Sequence, residues 1–193
     1  MPFISQFLKA VIWLVLLLSC TSCAGPQAIP ATDYLVLLQS VKDLLSFCIL
    51  ILGSDPCYRI QLMPRYYYAL YNLARLVYNN TENDDPSNHT LTWKKMPSSL
   101  SNVGSKFKEE RIDNDYHPYT IKDKELANQL SMIETSTILD DLVNEVSNTL
   151  NQYTDSDPNF NKLDFEKNVN AILTDIQAKN SELQKQISRI DNT

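Results

Sequence analysis

The chain has 193 residues, of which 44% are hydrophobic and 21% charged, and its formal net charge is −6. This composition predicts one folded domain rather than a disordered chain, and the acidic balance argues against binding to nucleic-acid phosphates. The sequence contains only three glycines, which argues against glycine-rich phosphate loops and turn-rich β-barrels, because both need backbone conformations that mainly glycine adopts.

The first 19 residues are typical of an export signal. Lys9 is the only charged side chain among them, and the apolar run 10–18 follows it. That run is too short to cross a bilayer comfortably, and small polar residues come directly after it. We therefore interpret residues 1–19 as a signal peptide that takes no part in the fold.

Leu17-Leu18-Ser19-Cys20 resembles the lipobox of bacterial lipoproteins. In that class the cysteine sulfur receives a diacylglycerol, and the cysteine becomes the N-terminus after cleavage. The resemblance implies a lipid anchor at Cys20 and a lipidated N-terminus and spacer over residues 20–32. Thr21, rather than Asp, follows the cysteine, which by the same resemblance favours the outer membrane.

A different cleavage site remains open in the same region. Ser22-Cys23-Ala24 places small residues where an ordinary signal peptidase requires them. A cut after Ala24 would release a soluble, secreted protein that keeps only Cys48 and Cys57. In the lipobox interpretation Cys23 is left as an additional thiol. Both interpretations predict an exported chain.

Residues 33–79 are predicted to form the N-terminal helices. Tyr34, Leu38, Val41 and Leu45 follow helical spacing, and this first helix should end near Leu52, before Gly53. A transmembrane helix over 34–52 is disfavoured because Lys42 and Asp43 would lie near the middle of the bilayer. The compartment favours a disulfide between Cys48 and Cys57, and two buried thiols are the alternative.

The second helix should start near Pro64 and run to about Asn79. It has two neighbouring apolar faces that are rich in tyrosine, which predicts contact with more than one neighbouring element. Tyrosine suits half-wet interfaces, so a binding surface on this helix is one interpretation. The other is that the tyrosines lie at the edge of the core. The candidate surface residues are Arg65, Tyr67, Tyr71, Arg75 and Tyr78.

Residues 80–119 are predicted to form an irregular loop or linker, because three prolines and few regularly spaced apolar residues occur there. Trp93 is the candidate anchor of this segment on the body. Both histidines, His89 and His117, fall within it. Acidic residues are near each histidine, but neither position has the spacing of a rigid metal site, so no metal is predicted.

Residues 120–193 carry the clearest pattern in the sequence. Apolar residues recur at steps of three and four, first from Leu126 to Leu150 and again from Phe165 to Ile190. Two long antiparallel helices are predicted, joined by a turn in which Asp157 caps the second helix and Pro158 opens it. The predicted fold is an all-α helical bundle with this long C-terminal hairpin.

These features favour a non-enzymatic protein of the bacterial envelope. No nucleophile with a base, metal cluster or pair of poised carboxylates stands out, and no cofactor is expected. The predicted role is an accessory or scaffold that contacts another envelope protein through its helices, with homo-oligomerisation through the hairpin as a further prediction. A soluble secreted helical effector or ligand with one disulfide is the alternative.

Overall fold

The computed structural model describes residues 28–54, 56–86, 88–116 and 123–190, and within these ranges all regular structure is helical. The all-α prediction is thereby confirmed. The residues of the predicted signal peptide and of the sequence that resembles a lipobox lie outside the described part. The helices, in chain order, are α1 (Ala31–Leu52), a 3-10 helix (Pro56–Gln61), α2 (Leu62–Glu82), α3 (His89–Lys95), α4 (Ser98–Tyr116), α5 (Asp123–Thr135), α6 (Ile138–Thr149), a short 3-10 helix (Leu150–Gln152) and α7 (Lys162–Ile190).

One hydrophobic core connects the helices. α1 packs against α2 and α7, and α2 also packs against α4 and α6. α7 lies against α5 and α6, which forms the predicted antiparallel hairpin. Because α2 contacts neighbours on several sides, its two tyrosine-rich faces are both needed to fill the core.

α1 buries the predicted stripe of Tyr34, Leu38, Val41 and Leu45, all with no exposed surface. It is the one helix among the described residues that is long and apolar enough to cross a membrane. In the structure this apolar face packs on α2 and α7, so α1 is a core helix of the bundle. An apolar helix this close to the N-terminus is compatible with an exported chain.

The prediction of an irregular region over residues 80–119 is wrong. α2 continues to Glu82 and ends at Asn83, which has a positive φ of 52°; α3 and α4 then follow. The Asn88 side chain caps α3 by accepting a hydrogen bond from the Leu91 N–H at 2.8 Å. The apolar periodicity did not predict α4, because this helix is mostly polar. Its few inward-facing apolar residues are chiefly Leu100 and Phe107.

The first arm of the hairpin is also shorter than predicted, because it is divided into α5 and α6. The spacing of buried residues breaks between Ile133 and Ile138, and Gln184 of α7 fills the gap. Its side-chain amide donates to the Ile133 and Ser136 carbonyl oxygens at 3.1 and 2.9 Å. These bonds satisfy backbone groups that the interruption of the helix leaves without partners.

The second arm starts later than predicted. α7 begins at Lys162, whereas Asp157 and Pro158 belong to the preceding turn. The Asn161 side chain accepts a hydrogen bond from the Asp164 N–H at 3.3 Å and takes the capping role assigned to Asp157. α7 is nevertheless the longest described helix, and its 29 residues span about 44 Å.

Candidate functional site

The five residues of the predicted binding surface do not form one exposed surface. Tyr67 and Tyr78 are buried, and Tyr71, Arg75 and Arg65 are half-buried. α3 and α4, which the sequence analysis missed, contact α2, and Tyr67 and Tyr71 stack against His89 of α3. The alternative interpretation, that the tyrosines lie at the edge of the core, describes them better.

His89 lies at the centre of an aromatic cluster. Its ring stacks on Tyr71, with centroids 3.7 Å apart and planes 10° from parallel. Its Nδ1 atom lies 2.6 Å from the Tyr67 hydroxyl. That hydroxyl also accepts a hydrogen bond from Trp93 Nε1 at 3.3 Å. The Tyr67 hydroxyl thus links His89 to Trp93, and the tautomer of the imidazole sets which partner donates in the Tyr67–His89 hydrogen bond.

The surroundings of His89 keep its imidazole neutral. Burial lowers the pKa of His89 to about 4, and the positive charges of Arg111 and Lys108 act in the same direction. With Nδ1 engaged by Tyr67, the ring serves chiefly as an aromatic contact between α2 and α3. Among the described residues, no group of three or more His, Cys, Asp or Glu side chains could hold a metal ion, and His117 lies outside them.

Arg111 of α4 closes the other side of this cluster. Its guanidinium lies 5.3 Å from the Tyr67 ring centroid and 5.2 Å from that of Tyr68, which is cation–π geometry. It also donates to the Tyr68 hydroxyl at 3.0 Å and to Asp115 at 2.8 Å. The cluster thus joins α2, α3 and α4 through side chains far apart in sequence.

Arg75 is held by the segment that follows α2. Its guanidinium forms a bidentate ion pair with Asp85. The hydrogen bond to Asp85 raises the pKa of Arg75 above its ordinary value. The Arg75 guanidinium therefore stabilises the segment after α2 through its ion pair with Asp85.

Several hydrogen bonds hold the N-terminal segment where it joins the bundle. The Ile29 N–H donates to Asn79 Oδ1 at 2.7 Å, and the Ala31 N–H donates to Asp155 Oδ2 at 2.6 Å. The Tyr153 hydroxyl lies within hydrogen-bonding distance of both the Ile29 carbonyl oxygen, at 2.9 Å, and Asp155 Oδ2, at 3.0 Å. We call these five residues the N-terminal clamp.

The clamp fixes the position of Ile29 and of the start of α1 on the bundle. Ile29 itself is buried among core residues. The clamp residues come from the N-terminal segment with the start of α1, from the end of α2 and from the turn before α7, so three segments of the chain meet there. Sequence spacing could not reveal this site, since its contacts span 50 and 124 positions of the chain.

Cys48 is a buried, free thiol in the structure. Its Sγ atom lies 3.8 Å from the Leu62 carbonyl oxygen, which accepts its weak hydrogen bond. Burial raises the pKa of the Cys48 thiol to about 12. The side chain of Cys57 and the whole of Cys20 lie outside the described part of the chain, so the disulfide and the lipid anchor stay predictions.

Comparisons of this chain with protein-family models, curated protein sequences and solved structures found no significant match.

Proposed function

We propose that this protein is a non-enzymatic lipoprotein of the bacterial envelope, tethered through Cys20, which acts as an accessory or scaffold by binding another envelope protein. The lipobox resemblance at Leu17-Leu18-Ser19-Cys20 supports the tether. The N-terminal clamp is the single structural observation that supports it most directly. A lipid anchor can position a folded body only if the connecting chain is attached firmly to that body.

The length of the connecting chain limits how far the body can stand from the lipid. Nine Cα–Cα steps separate Cys20 from Ile29, and a fully extended chain of that length spans about 30 Å at most. Pro26 and Pro30 restrict the backbone of this spacer. The clamp end of the bundle would therefore stay close to the membrane, while the other end of α1 lies about 33 Å further along its axis.

The chemistry of the described residues agrees with a binding role. In the cluster around His89, the Tyr67 hydroxyl contacts both His89 Nδ1 and Trp93 Nε1, and Arg75 is paired with Asp85. These side chains stabilise helix packing. By the resemblance at Thr21, the outer membrane is the proposed location. Another envelope protein is the proposed partner, and self-association through the hairpin is a further proposal.

Acylation of Cys20 is the decisive test. We expect radiolabelled palmitate to be incorporated into the wild-type chain and into a Cys23→Ala variant, but not into Cys20→Ala. Globomycin, which inhibits lipoprotein signal peptidase, should leave the precursor uncleaved. Mass spectrometry should find a mature chain that begins at acylated Cys20. An unlabelled mature chain that begins at Gly25 would reject the tether and favour the soluble secreted alternative.

A further inference from the structure

An apolar groove lies at the end of the bundle opposite the N-terminal clamp. It is formed where α1 ends, by the 3-10 helix and by the first turn of α2, and its volume is about 230 Å³. Three of its large side chains are unusually exposed: Phe47 by 44%, Leu50 by 68% and Tyr58 by 58%. Large apolar side chains clustered on a surface mark an interaction site more often than isolated ones do. The residues that line the groove include Phe47, Leu50, Ile51, Tyr58, Gln61 and Arg65.

The described residues that line the groove carry one positive charge and no negative charge. Arg65 is the only charged residue among the described residues that line it, and its guanidinium lies 5.8 Å from the Phe47 ring centroid. Within the described part of the chain, Arg65 forms no ion pair. In a chain with a net charge of −6, this cation favours a binding partner that brings its own carboxylate.

The position and shape of the groove favour a protein over a lipid surface as its occupant. The helix α1 separates the groove from the clamp by about 33 Å, so the tether would hold the other end of the bundle near the bilayer. The exposed Asp43 lies one turn before Phe47 on the same side of α1 and would face any membrane that Phe47 entered. A concave groove also matches a protruding side chain better than a flat bilayer.

We propose that the groove binds an amphipathic helical segment of a partner protein. Large apolar side chains of that segment would contact Phe47, Leu50 and Tyr58, and an adjacent Glu or Asp would pair with Arg65. This inference rests on the proposed function, because it names the surface through which the tethered bundle contacts its partner. Arg65 is the one residue of the sequence-derived surface that takes part.

The test uses a synthetic fluorescent helical peptide with leucines spaced by three and four residues and glutamates beside them. A matched peptide has glutamine in place of each glutamate. Binding to the processed chain, purified in a mild detergent, is measured by fluorescence anisotropy. The protein variants are Leu50→Asp, Arg65→Gln and the control Leu163→Asp, whose leucine is 75% exposed on α7.

We expect the glutamate peptide to bind the wild-type chain and the Leu163→Asp control equally. Leu50→Asp should weaken binding by at least about tenfold, because it places a charge in the apolar contact. Arg65→Gln should weaken binding of the glutamate peptide by about tenfold and leave the glutamine peptide unaffected, since only the former offers a carboxylate to Arg65. Circular dichroism should show that both groove variants are folded, as Leu50 and Arg65 are not core residues.

Several outcomes would overturn the inference. These are an absence of peptide binding, equal losses in Leu50→Asp and Leu163→Asp, and equal effects of Arg65→Gln on the two peptides. Sedimentation that shows a dimer dissociated by Leu50→Asp would identify a second copy as the occupant instead. Vesicle flotation of Cys20→Ala that depends on Leu50 would identify a membrane.

The experiments can reject the lipid tether at Cys20 and the binding role of the groove independently of each other. If the groove is not a binding site, palmitate labelling of Leu50→Asp should still match that of the wild-type chain. If Cys20 is not acylated, the peptide should still bind the released protein through Leu50 and Arg65.

Discussion

Asp155 Oδ2 accepts a hydrogen bond from the Ala31 N–H at 2.6 Å, across 124 positions of the chain. Ala31 is the first residue of α1, so its N–H has no partner within that helix. α1 lacks a side-chain cap from its own N-terminal neighbour, because Pro30 occupies the N-cap position. A carboxylate from the turn before α7 therefore replaces the local cap and interacts favourably with the positive end of the helix dipole.

We expect Asp155→Ala to destabilise the fold by about 1 to 2 kcal/mol, because it removes the acceptor for Ala31 and a partner of Tyr153. Urea unfolding at pH 7 measures this change. Asp43→Ala is the matched control, because Asp43 is exposed and accepts one hydrogen bond from a neighbour on its own helix. Equal stabilities of Asp155→Ala and the wild-type chain would contradict the role assigned to the clamp.

The same carboxylate predicts a pH dependence. Backbone hydrogen bonds from Asp157 and Ala31 lower the pKa of Asp155 in the folded state. A lowered folded-state pKa means that the stabilisation is present above the unfolded-state pKa, about 3.9, and is lost as the pH falls through the folded-state pKa. The stability difference between the wild-type chain and Asp155→Asn should therefore shrink on acidification below about pH 4. A difference that stays constant down to pH 2 would refute this assignment.

Gly104 allows the close approach of α4 to Trp93. A Cβ atom added at Gly104 would lie 2.4 Å from the Trp93 ring, which is buried and cannot swing into solvent. Gly104→Ala should cost about 2 kcal/mol of stability through this overpacking. Gly53→Ala is the control: its added Cβ would come no closer than 3.8 Å to the Leu50 carbonyl oxygen, so its effect should stay within about 0.5 kcal/mol.

Trp93 also provides the spectroscopic measurement. The sequence has two tryptophans, and Trp13 lies in the predicted signal peptide. The fluorescence of the processed chain should then come from Trp93 alone. We expect Gly104→Ala, unlike Gly53→Ala, to shift this emission and lower the midpoint of thermal unfolding. An unchanged emission spectrum together with unchanged stability would show that the contact is looser than described.

His89 should titrate far below the ordinary range for histidine. Its folded-state pKa is about 4, below the unfolded value of about 6.5. The neutral form is therefore the one that folding favours, and its stabilising contribution declines as the pH falls from 6.5 towards 4. Proton NMR should follow the His89 imidazole with a midpoint near pH 4. A midpoint near 6.5 would show that the ring is solvated and that the Tyr67 contact does not hold it.

The reactivity of Cys48 distinguishes a free thiol from the disulfide that the sequence predicts. Because the thiol is buried and its pKa is raised to about 12, we expect iodoacetamide at pH 8 to leave it unmodified in the folded protein. Unfolding in urea without a reductant should then permit alkylation, as measured by mass spectrometry. Alkylation that requires a reductant would reveal the disulfide between Cys48 and Cys57.

The predictions that succeeded were those carried by apolar periodicity. α1 and α2 contain the expected buried stripes, and the hairpin forms because α7 buries Phe165, Val169 and Ile187 at helical intervals. The sequence pattern did not predict α4 because the helix is mostly polar, and because Gly104, one of its inward positions, has no side chain to add to a periodic pattern. Its contact with the core depends instead on the size of Trp93 and the absence of a Cβ at Gly104.

The candidate sites were less accessible to sequence reasoning. Tyr67, Tyr71 and Arg75 were identified as residues of interest, but the pattern could not show that His89, Arg111 and Asp85 already contact them. The groove could not be predicted from the sequence for a related reason. Phe47 and Leu50 read as parts of a continuous apolar run, and only packing determines which members of such a run stay exposed.

The sequence by itself determined that this chain is helical and where its longest helices run, because each helix must bury a stripe whose period is set by backbone geometry. The predicted export signal and the resemblance to a lipobox also depend on the sequence alone, since signals of this kind are linear motifs. Tertiary structure alone decided that Asp155 caps α1, that His89 packs between tyrosines, and that Arg65 has no ion-pair partner among the described residues beside the groove. Such relationships depend on distances between side chains far apart in sequence, and local periodicity carries no information about those distances.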